Sequence, residues 1–413
     1  MKQYTKYKDT GIKWIGDVPE HWELHKLKHC LQLINNKTYS NSTLVYIGME
    51  NIESWSGKYV ETSIETDGIA NVFQKGNILF GKLRPYLAKV HLAEFDGCCS
   101  SELLVYHSKN QNNNYLQKLL ITKGFIDLIN ASTYGSKMPR ANSSFIGNQL
   151  LPIPPLSEQQ SIVRFLEKET ANIDAYIKQR EQEIATLAEL KQAEIATAVT
   201  RGLIPDVKMK DSGISWIGEV PEHWEIMQAK NMFKKEKREV QLNDDVITCF
   251  RDGQVTLRKN RRTKGFTESI TEIGYQGIRK DDLVIHQMDA FAGAVGVSDS
   301  NGKGTSVYHC CTPKGDYDTR YYAFLIRKMA FSGFIQSLYK GIRERSSDFN
   351  FKIFGNQRLV VPSFVEQQAV VAHIEQRVRQ IDDYAAALKS EIEQMQEYKQ
   401  RLISDTVTGK IEI

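Results

Sequence analysis

Cations set in turn-forming stretches are the residues of this sequence best suited to chemistry, and the chemistry they suit is the binding of a polyanion. Five cations fall in the seven residues from Arg258 to Lys264, namely Arg258, Lys259, Arg261, Arg262 and Lys264. That density fits contacts to phosphate oxygens, which anchor a duplex without reading it. Lys82 and Arg84 flank Leu83 beside Pro85 and Tyr86, where a β-rich run ends. Two further loops carry Lys137 with Arg140, and Arg343 with Arg345. Guanidinium forks in such loops can pair with the O6 and N7 atoms of guanine, while amides such as Asn142 and Gln287 suit adenine. A solvated surface turn is the ordinary alternative for each of these clusters.

Other chemistries find little support. The six cysteines are Cys30, Cys249 and the adjacent pairs Cys98-Cys99 and Cys310-Cys311. They offer neither a C-x-x-C metal spacing nor a bridging framework, and His309 beside Cys310 is a lone candidate ligand, so no metal is expected. The stretch from Gly296 to Gly302-Lys303 superficially resembles a phosphate loop, but five residues intervene where four are needed and Gly304 stands where a magnesium-holding hydroxyl belongs. Pro205-Asp206-Val207-Lys208 has the acid and lysine of a nuclease site without its second acid, and reads as a linker. No G-x-G-x-x-G, H-E-x-x-H or Asn-Pro-Pro-aromatic motif occurs. The sequence therefore predicts no catalytic residue, and any catalysis is assigned to another chain.

A chain of 413 residues predicts two or three folding units. With 41% hydrophobic and 25% charged residues it is that of a folded protein, and no apolar run reaches the roughly 18 residues of a membrane span. The polar opening Met1 to Asp9 lacks an apolar signal segment, so a cytoplasmic location is expected. The net charge of +4 is unevenly spread: residues 1–155 carry +4 and 206–365 carry +5, while 156–205 carry −2 and 366–413 carry −3. The basic excess lies in the two long segments, which are thereby the expected polyanion binders.

The elements that must position these cations are written twice. Lys8 through Glu23 returns 202 residues later as Lys210 through Glu225, identical at thirteen of sixteen positions. A closing block, Gly147-Asn148-Gln149, Pro154 and Glu158-Gln159-Gln160, recurs 208 residues on as Gly355-Asn356-Gln357, Pro362 and Glu366-Gln367-Gln368. Between these blocks the halves share little sequence. Trp14 and Trp22 recur as Trp216 and Trp224, and such strict repetition in otherwise different halves points to a structural or partner-facing role rather than base stacking.

Each closing block leads into a stretch of some 40–45 residues free of Pro and Gly, from Ser157 to Arg201 and from about Val365 to Thr408. Apolar residues recur at 11-residue intervals, at Ile162, Ile173, Ile184 and Ile195 in the first and Val370, Ile381, Ile392 and Ile403 in the second. Eleven residues in three turns is close to the pitch of a straight helix, so these stripes predict two long helices that cover each other as a nearly straight antiparallel pair. Such a pair would hold two bodies at the ends of a rod. The bodies read as mixed α/β, with short β-rich runs such as Ile78-Leu79-Phe80 and Leu103-Leu104-Val105-Tyr106 and helical stretches near Tyr115–Ile129 and Tyr321–Leu338.

This pattern resembles the specificity subunit of a type I DNA restriction-modification system. The resemblance spans nearly the whole chain and rests on Trp14-Ile15-Gly16-Asp17-Val18-Pro19-Glu20-His21-Trp22 with its copy at Trp216–Trp224, on Tyr46-Ile47-Gly48-Met49-Glu50-Asn51-Ile52, on Ile78-Leu79-Phe80-Gly81-Lys82-Leu83-Arg84-Pro85-Tyr86, and on Pro152-Ile153-Pro154-Pro155-Leu156-Ser157-Glu158-Gln159. It implies an α/β (α+β) protein with a pseudo-two-fold internal repeat: target recognition domains over 1–156 and 204–364, long helices over 157–203 and 365–408 forming an antiparallel coiled coil, and a tail over 409–413. Each domain would read one half of a split, asymmetric site in double-stranded DNA, and the helices would set the spacing and dock two modification subunits. Those methyltransferase partners would bring S-adenosylmethionine, and translocating restriction subunits would add ATP and magnesium, all in a prokaryotic cytoplasm; this chain itself would be non-catalytic. The second closing block departs from the pattern, with Pro362-Ser363-Phe364-Val365 in place of the double proline. The competing readings are a stand-alone, pseudo-dimeric DNA-binding regulator and a scaffold that uses the helix pair alone.

Overall fold

The structure is a computed structural model, which describes residues 2–39, 44–62, 68–135, 137–261, 274–338 and 348–413. The chain divides into two compact units, one of Met1–Glu181 with Leu388–Ile413 and the other of Gln182–Ala387. Each unit takes the beginning of one long helix and the end of the other. The helices span Leu156–Arg201 and Phe364–Val407, 46 and 44 residues, within two residues of the limits that the Pro- and Gly-free stretches imply.

In the first unit the opening block forms a small antiparallel hairpin, Tyr7–Asp9 against Asp17–Pro19. It is followed by strand Glu23–Lys26, which pairs with Leu150–Ile153 just before the first long helix. A four-stranded antiparallel sheet then runs in the order Gln32–Ile34, Leu103–His107, Ile78–Gly81, Val90–Leu92. Two helices, Asn113–Leu120 and Lys123–Ala131, join it in one core. A second four-stranded sheet, Lys37–Tyr39, Ile69–Phe73, Gly97–Ser100, Tyr46–Ile47, has its own smaller core around Ile47, Ile52, Phe73 and Cys99.

The second unit repeats the first part of this plan. Met209–Asp211 pairs with Glu219–Pro221, Glu225–Gln228 pairs with Arg358–Val361, and a four-stranded sheet runs Phe233–Glu236, Tyr308–Pro313, Leu283–His286, Val295–Val297 beside helix Thr319–Phe331. The repetition ends at the outer sheet, where two separate two-stranded pairs, Ile247–Cys249 with Val255–Leu257 and Gln276–Ile278 with Gly302–Gly304, replace four continuous strands. Gly302-Lys303 thus lies in a strand, not at a helix start, which removes the phosphate-loop geometry.

The repeated residues repeat because they bond to each other. In the first unit Trp22 Nε1 donates to Glu158 at 3.0 Å and His21 Nε2 lies 2.9 Å from the same carboxylate. In the second, Trp224 and His223 meet Glu366 at 3.4 and 2.8 Å. Burial alone would raise the Glu366 carboxyl, but hydrogen bonds from His223, Ser363 and Trp224 outweigh it and hold it below its ordinary value. The adjacent glutamines are buried and use both ends of the amide. Gln159 accepts from Asn112 N at 2.9 Å and donates to Pro154 O at 2.8 Å, and Gln367 accepts from Asp318 N at 2.8 Å and donates to Pro362 O at 2.9 Å. Trp22 and Trp224 are buried, and Trp14 and Trp216 pack on Phe125 and Phe334, so all four tryptophans serve the scaffold.

The far end of each long helix completes a core. Leu402, Ile403 and Val407 join Trp22, Tyr115, Ile162 and Leu166 in the first unit, where Tyr115 also donates to Val407 O at 3.0 Å. Ala198 and Val199 join Trp224, Tyr321, Val370 and Ile374 in the second, where Tyr321 donates to Val199 O at 2.7 Å. Both helices end on a left-handed glycine, Gly202 at φ +73° and Gly409 at φ +76°, and there the absence of a Cβ also lets the backbone sit against Trp224 and against Pro19 and Trp22.

The paired helix segments run antiparallel in both units. Asp174 meets Lys399 and Tyr176 meets Glu391 in the first unit. In the second, Lys191 meets Asp382 at 2.8 Å and Glu194 meets Arg377 at 2.6 Å. The 11-residue stripe divides its work: Ile162 and Val370 are buried in the cores of the bodies, Ile173, Ile381 and Ile403 are buried, and Ile184, Ile195 and Ile392 are half-buried.

Candidate nucleic-acid interface

At the end of strand Ile78–Gly81 the chain is gripped from two sides by backbone hydrogen bonds. Lys82 N donates to Glu102 O at 3.0 Å, Ala141 N donates to Lys82 O at 2.9 Å, and Arg84 N donates to Pro139 O at 2.8 Å. Leu83 and Arg140 form an isolated antiparallel bridge, as do Tyr134 and Arg140. Arg84 itself adopts a left-handed conformation, φ +49°, that turns the chain into the short helix Pro85–Leu87. Four of the cations singled out by sequence, Lys82, Arg84, Lys137 and Arg140, are thereby brought to one place.

Within this cluster Arg84 and Lys137 are exposed and Lys82 is half-buried. Arg140 is held in a fork, with Nε donating to Glu102 Oε2 at 3.1 Å and Nη2 to Glu102 Oε1 at 3.0 Å. That ion pair raises the Arg140 guanidinium further above its already high value. Three large exposed side chains, Tyr86, Tyr134 and Met138, accompany the cations. Cations interleaved with exposed rings suit a nucleic acid, whose phosphates take the charge and whose bases offer faces to stack on. Asn142 does different work: it caps the short helix Ser143–Gly147 by accepting from Ser144 N.

The same place exists in the second unit. Gln287 N donates to Val307 O at 2.8 Å and Phe349 N donates to Gln287 O at 3.0 Å, so Gln287 stands where Lys82 does and Asp348 where Arg140 does. Gln287 donates its side-chain amide to the Asp348 carboxylate, which also accepts from Asn350 Nδ2 at 2.9 Å. Arg343 and Arg345, expected near here, lie outside the described residues, as does Arg262.

The remaining candidates form a separate cluster beyond the hairpin Ile247–Cys249 and Val255–Leu257. Arg258 Nε donates to Thr248 Oγ1 at 3.2 Å, Lys259 pairs with Asp245, and Arg261 pairs with Asp252 at 2.7 Å while its guanidinium lies 4.2 Å from the centre of the Phe250 ring. The hydrogen bond from Lys259 lowers the Asp245 carboxyl. This cluster is thus less cationic than its sequence, because acids 9 to 14 positions earlier neutralise part of it.

Sequence reasoning missed Glu102, Asp348 and Tyr134, and gave no role to Tyr86 and Met138, which stand inside the stretches that carry the cations. Glu102 and Asp348 carry no local signal, since each acquires its role from a residue 38 or 61 positions away. His309 is buried within electrostatic reach of Lys235 and Asp348, and neither ring nitrogen has a hydrogen-bond partner among the described residues. Burial holds it neutral, down to about 4. No group of three or more potential metal ligands occurs among the described residues, and no described helix is long and apolar enough to cross a membrane.

Residues 19–186 match the type I restriction modification DNA specificity domain. The chain is 30% identical over 195 residues to the type I restriction enzyme EcoDI specificity subunit of Escherichia coli, a stretch that covers 45% of this chain and 43% of that protein. It is 21% identical to the type I restriction enzyme MjaVIII specificity subunit of Methanocaldococcus jannaschii, with 98% of this chain and 97% of that one covered. Among solved structures, a chain described under complex assembly and conformational transition of the type I R-M system matches with a TM-score of 0.69 at 18% identity, over 95% of this chain and 99% of that chain. The HsdS subunit from Thermoanaerobacter tengcongensis matches with a TM-score of 0.54 at 17% identity, over 95% and 98%. The fold, two mixed α/β bodies with long antiparallel helices, is shared with these structures.

Proposed function

We propose, from the premise that the chain is a specificity subunit of a type I restriction-modification system, that it is the non-catalytic DNA reader of such a complex and that each unit reads one half of a split, asymmetric site in double-stranded DNA. The observation that carries this reading is that one scaffold, built twice with the same Trp–Glu and Gln bonds, presents different polar groups at the same backbone position. A scaffold duplicated for stability alone has no need of that difference, whereas two readers of unlike half-sites do.

In this reading the long helices offer docking surfaces for two modification subunits, which carry S-adenosylmethionine and methylate adenine. Restriction subunits with ATP and magnesium add cleavage. The chain's own share is to hold the target and leave the chemistry to the partners. Lys82, Arg84, Lys137 and Arg140 face one half-site; Gln287, with Arg343 and Arg345, faces the other. Arg258, Lys259, Arg261 and Arg262 contact phosphates. The domain limits proposed from sequence, 1–156 and 204–364 with helices between and after, describe the two readers.

The test is to express the chain with its modification subunit in a host devoid of adenine methylation and to map methylated adenines across the genome. A two-part motif with different halves and a fixed gap is the expected outcome. A stable complex that methylates no such motif would overturn the reading.

A further inference from the structure

At the reader position of the first unit the side chains are arranged for more than charge. Arg140 spends its Nε and the inner edge of Nη2 on Glu102, at 3.1 and 3.0 Å. Its backbone is fixed on both sides, by the bridges to Leu83 and Tyr134 and by the neighbouring bonds from Ala141 N to Lys82 O and from Arg84 N to Pro139 O. Nη1 and the outer edge of Nη2 have no protein partner among the described residues. A guanidinium has two donor edges, and the one left over is the end-on edge, which matches the O6 and N7 acceptors of guanine. An arginine that only neutralises phosphate has no need of a carboxylate, because that carboxylate cancels the charge that phosphate binding uses.

We infer that Arg140 reads a guanine in the half-site of the first unit through its end-on edge, and that Glu102 is a positioning residue that fixes the orientation of that edge. The inference rests on the reading of the chain as a DNA specificity subunit and adds a base identity to it. It is local to the first unit. At the matching position the second unit places Asp348 and Gln287, an acceptor and an amide, and Val307 in place of Glu102 at the backbone bond to the strand end. The matching position itself therefore presents a carboxylate and an amide in place of a guanidinium fork.

The experiment is the methylation map of the complex with its modification subunit, run for the wild type and for Arg140→Ala, Arg140→Lys and Glu102→Gln. The wild-type motif contains a guanine in one half-site. Arg140→Ala relaxes that single position by roughly 5- to 150-fold, the range of one bidentate base contact. Arg140→Lys, which keeps the charge and loses the fork, relaxes the same position. Glu102→Gln relaxes it by a smaller factor, while the letters of the other half-site and the gap stay unchanged. Those unchanged letters are the internal sign that each variant folds and docks. A motif unchanged in Arg140→Ala, or unchanged in Arg140→Lys if Arg140→Ala yields no methylation, overturns the guanine assignment and leaves the specificity-subunit reading standing. An unchanged motif in Glu102→Gln overturns the positioning role, and a wild-type complex with no split motif overturns the underlying reading itself.

Discussion

At one backbone position the two units carry opposite hydrogen-bonding character. The first presents a guanidinium clamped by Glu102; the second presents a carboxylate, Asp348, held by Gln287 and Asn350. The framework beneath is the same in both, since the strand end is fastened by backbone groups alone: Lys82 N to Glu102 O and Ala141 N to Lys82 O in one, Gln287 N to Val307 O and Phe349 N to Gln287 O in the other. Backbone bonds are indifferent to side-chain identity. The lesson is a division of labour: where the fold is held by side chains, as at Trp22–Glu158 and Gln159, the sequence repeats, and where it is held by the main chain, the side chains are free to diverge.

That comparison breaks if the repeated contacts do not carry equal weight. Trp22→Ala and Trp224→Ala each empty a fully buried site and remove one hydrogen bond to a glutamate. Each is expected to cost about 3–5 kcal/mol, with the loss confined to its own unit. Hydrogen exchange resolved by residue is the check, and a loss in only one of the two variants would mean that the copies are not equivalent scaffolds.

A second contrast is one of degree: burial lowers a histidine in each unit, His91 in the first and His309 in the second, and the shift is large at His309. His309 belongs to the second unit and is held neutral by burial, its value lowered from an ordinary 6.5 to about 4. The unfolded chain therefore takes up this proton first as pH falls, so the contribution of His309 to stability is fully present above about 6.5 and declines toward 4. By pH 5 the loss amounts to roughly 2 kcal/mol. Urea midpoints of the wild type and of His309→Phe at pH 7 and pH 5 isolate it: the variant is expected to lose less on acidification, and equal losses would exclude His309 as the cause.

The smallest contrast lies at the two helix starts. Ser363 Oγ accepts from Glu366 N at 3.3 Å and Ser363 N donates in return to the Glu366 carboxylate at 3.1 Å, a reciprocal cap. The first helix has Pro155 at that place and begins without one. Ser363→Ala is expected to cost about 1 kcal/mol in thermal or denaturant unfolding, and Pro155→Ala to remove no cap at all. A neutral Ser363→Ala would show that the histidine and tryptophan bonds, with the one from the backbone N–H at position 363, hold Glu366 without the hydroxyl.

Legibility from sequence followed the same division. The opening and closing blocks and the long helices were readable because they depend on particular side chains at particular spacings. The inner four-stranded sheet is common to both units yet invisible as a repeat, because Ile78-Leu79-Phe80 and Leu283-Val284-Ile285 need only be apolar and extended to keep their register. The cations of the first cluster are legible from their type and from the turn-forming stretches that hold them. Their grouping with Glu102 is not, because Glu102 approaches only when Leu103–His107 lies beside Ile78–Gly81. The density of Arg258, Lys259 and Arg261 overstates their free charge, since nothing local reveals that Asp245 and Asp252 fold back onto them.

The core of the first unit is assembled from segments far apart along the chain. Trp22 and Tyr115 pack with Leu402, Ile403 and Val407, residues translated about 290 codons after Tyr115 and about 380 after Trp22. At ribosomal speeds of about 5–20 residues per second, the amino-terminal body waits roughly 15–60 s for its last wall. Meanwhile the second unit, which is complete once Ala387 has emerged, can close. The body made first is thus finished last, and during that interval its apolar seat for the closing helix is open to chaperones, or to the wrong neighbour.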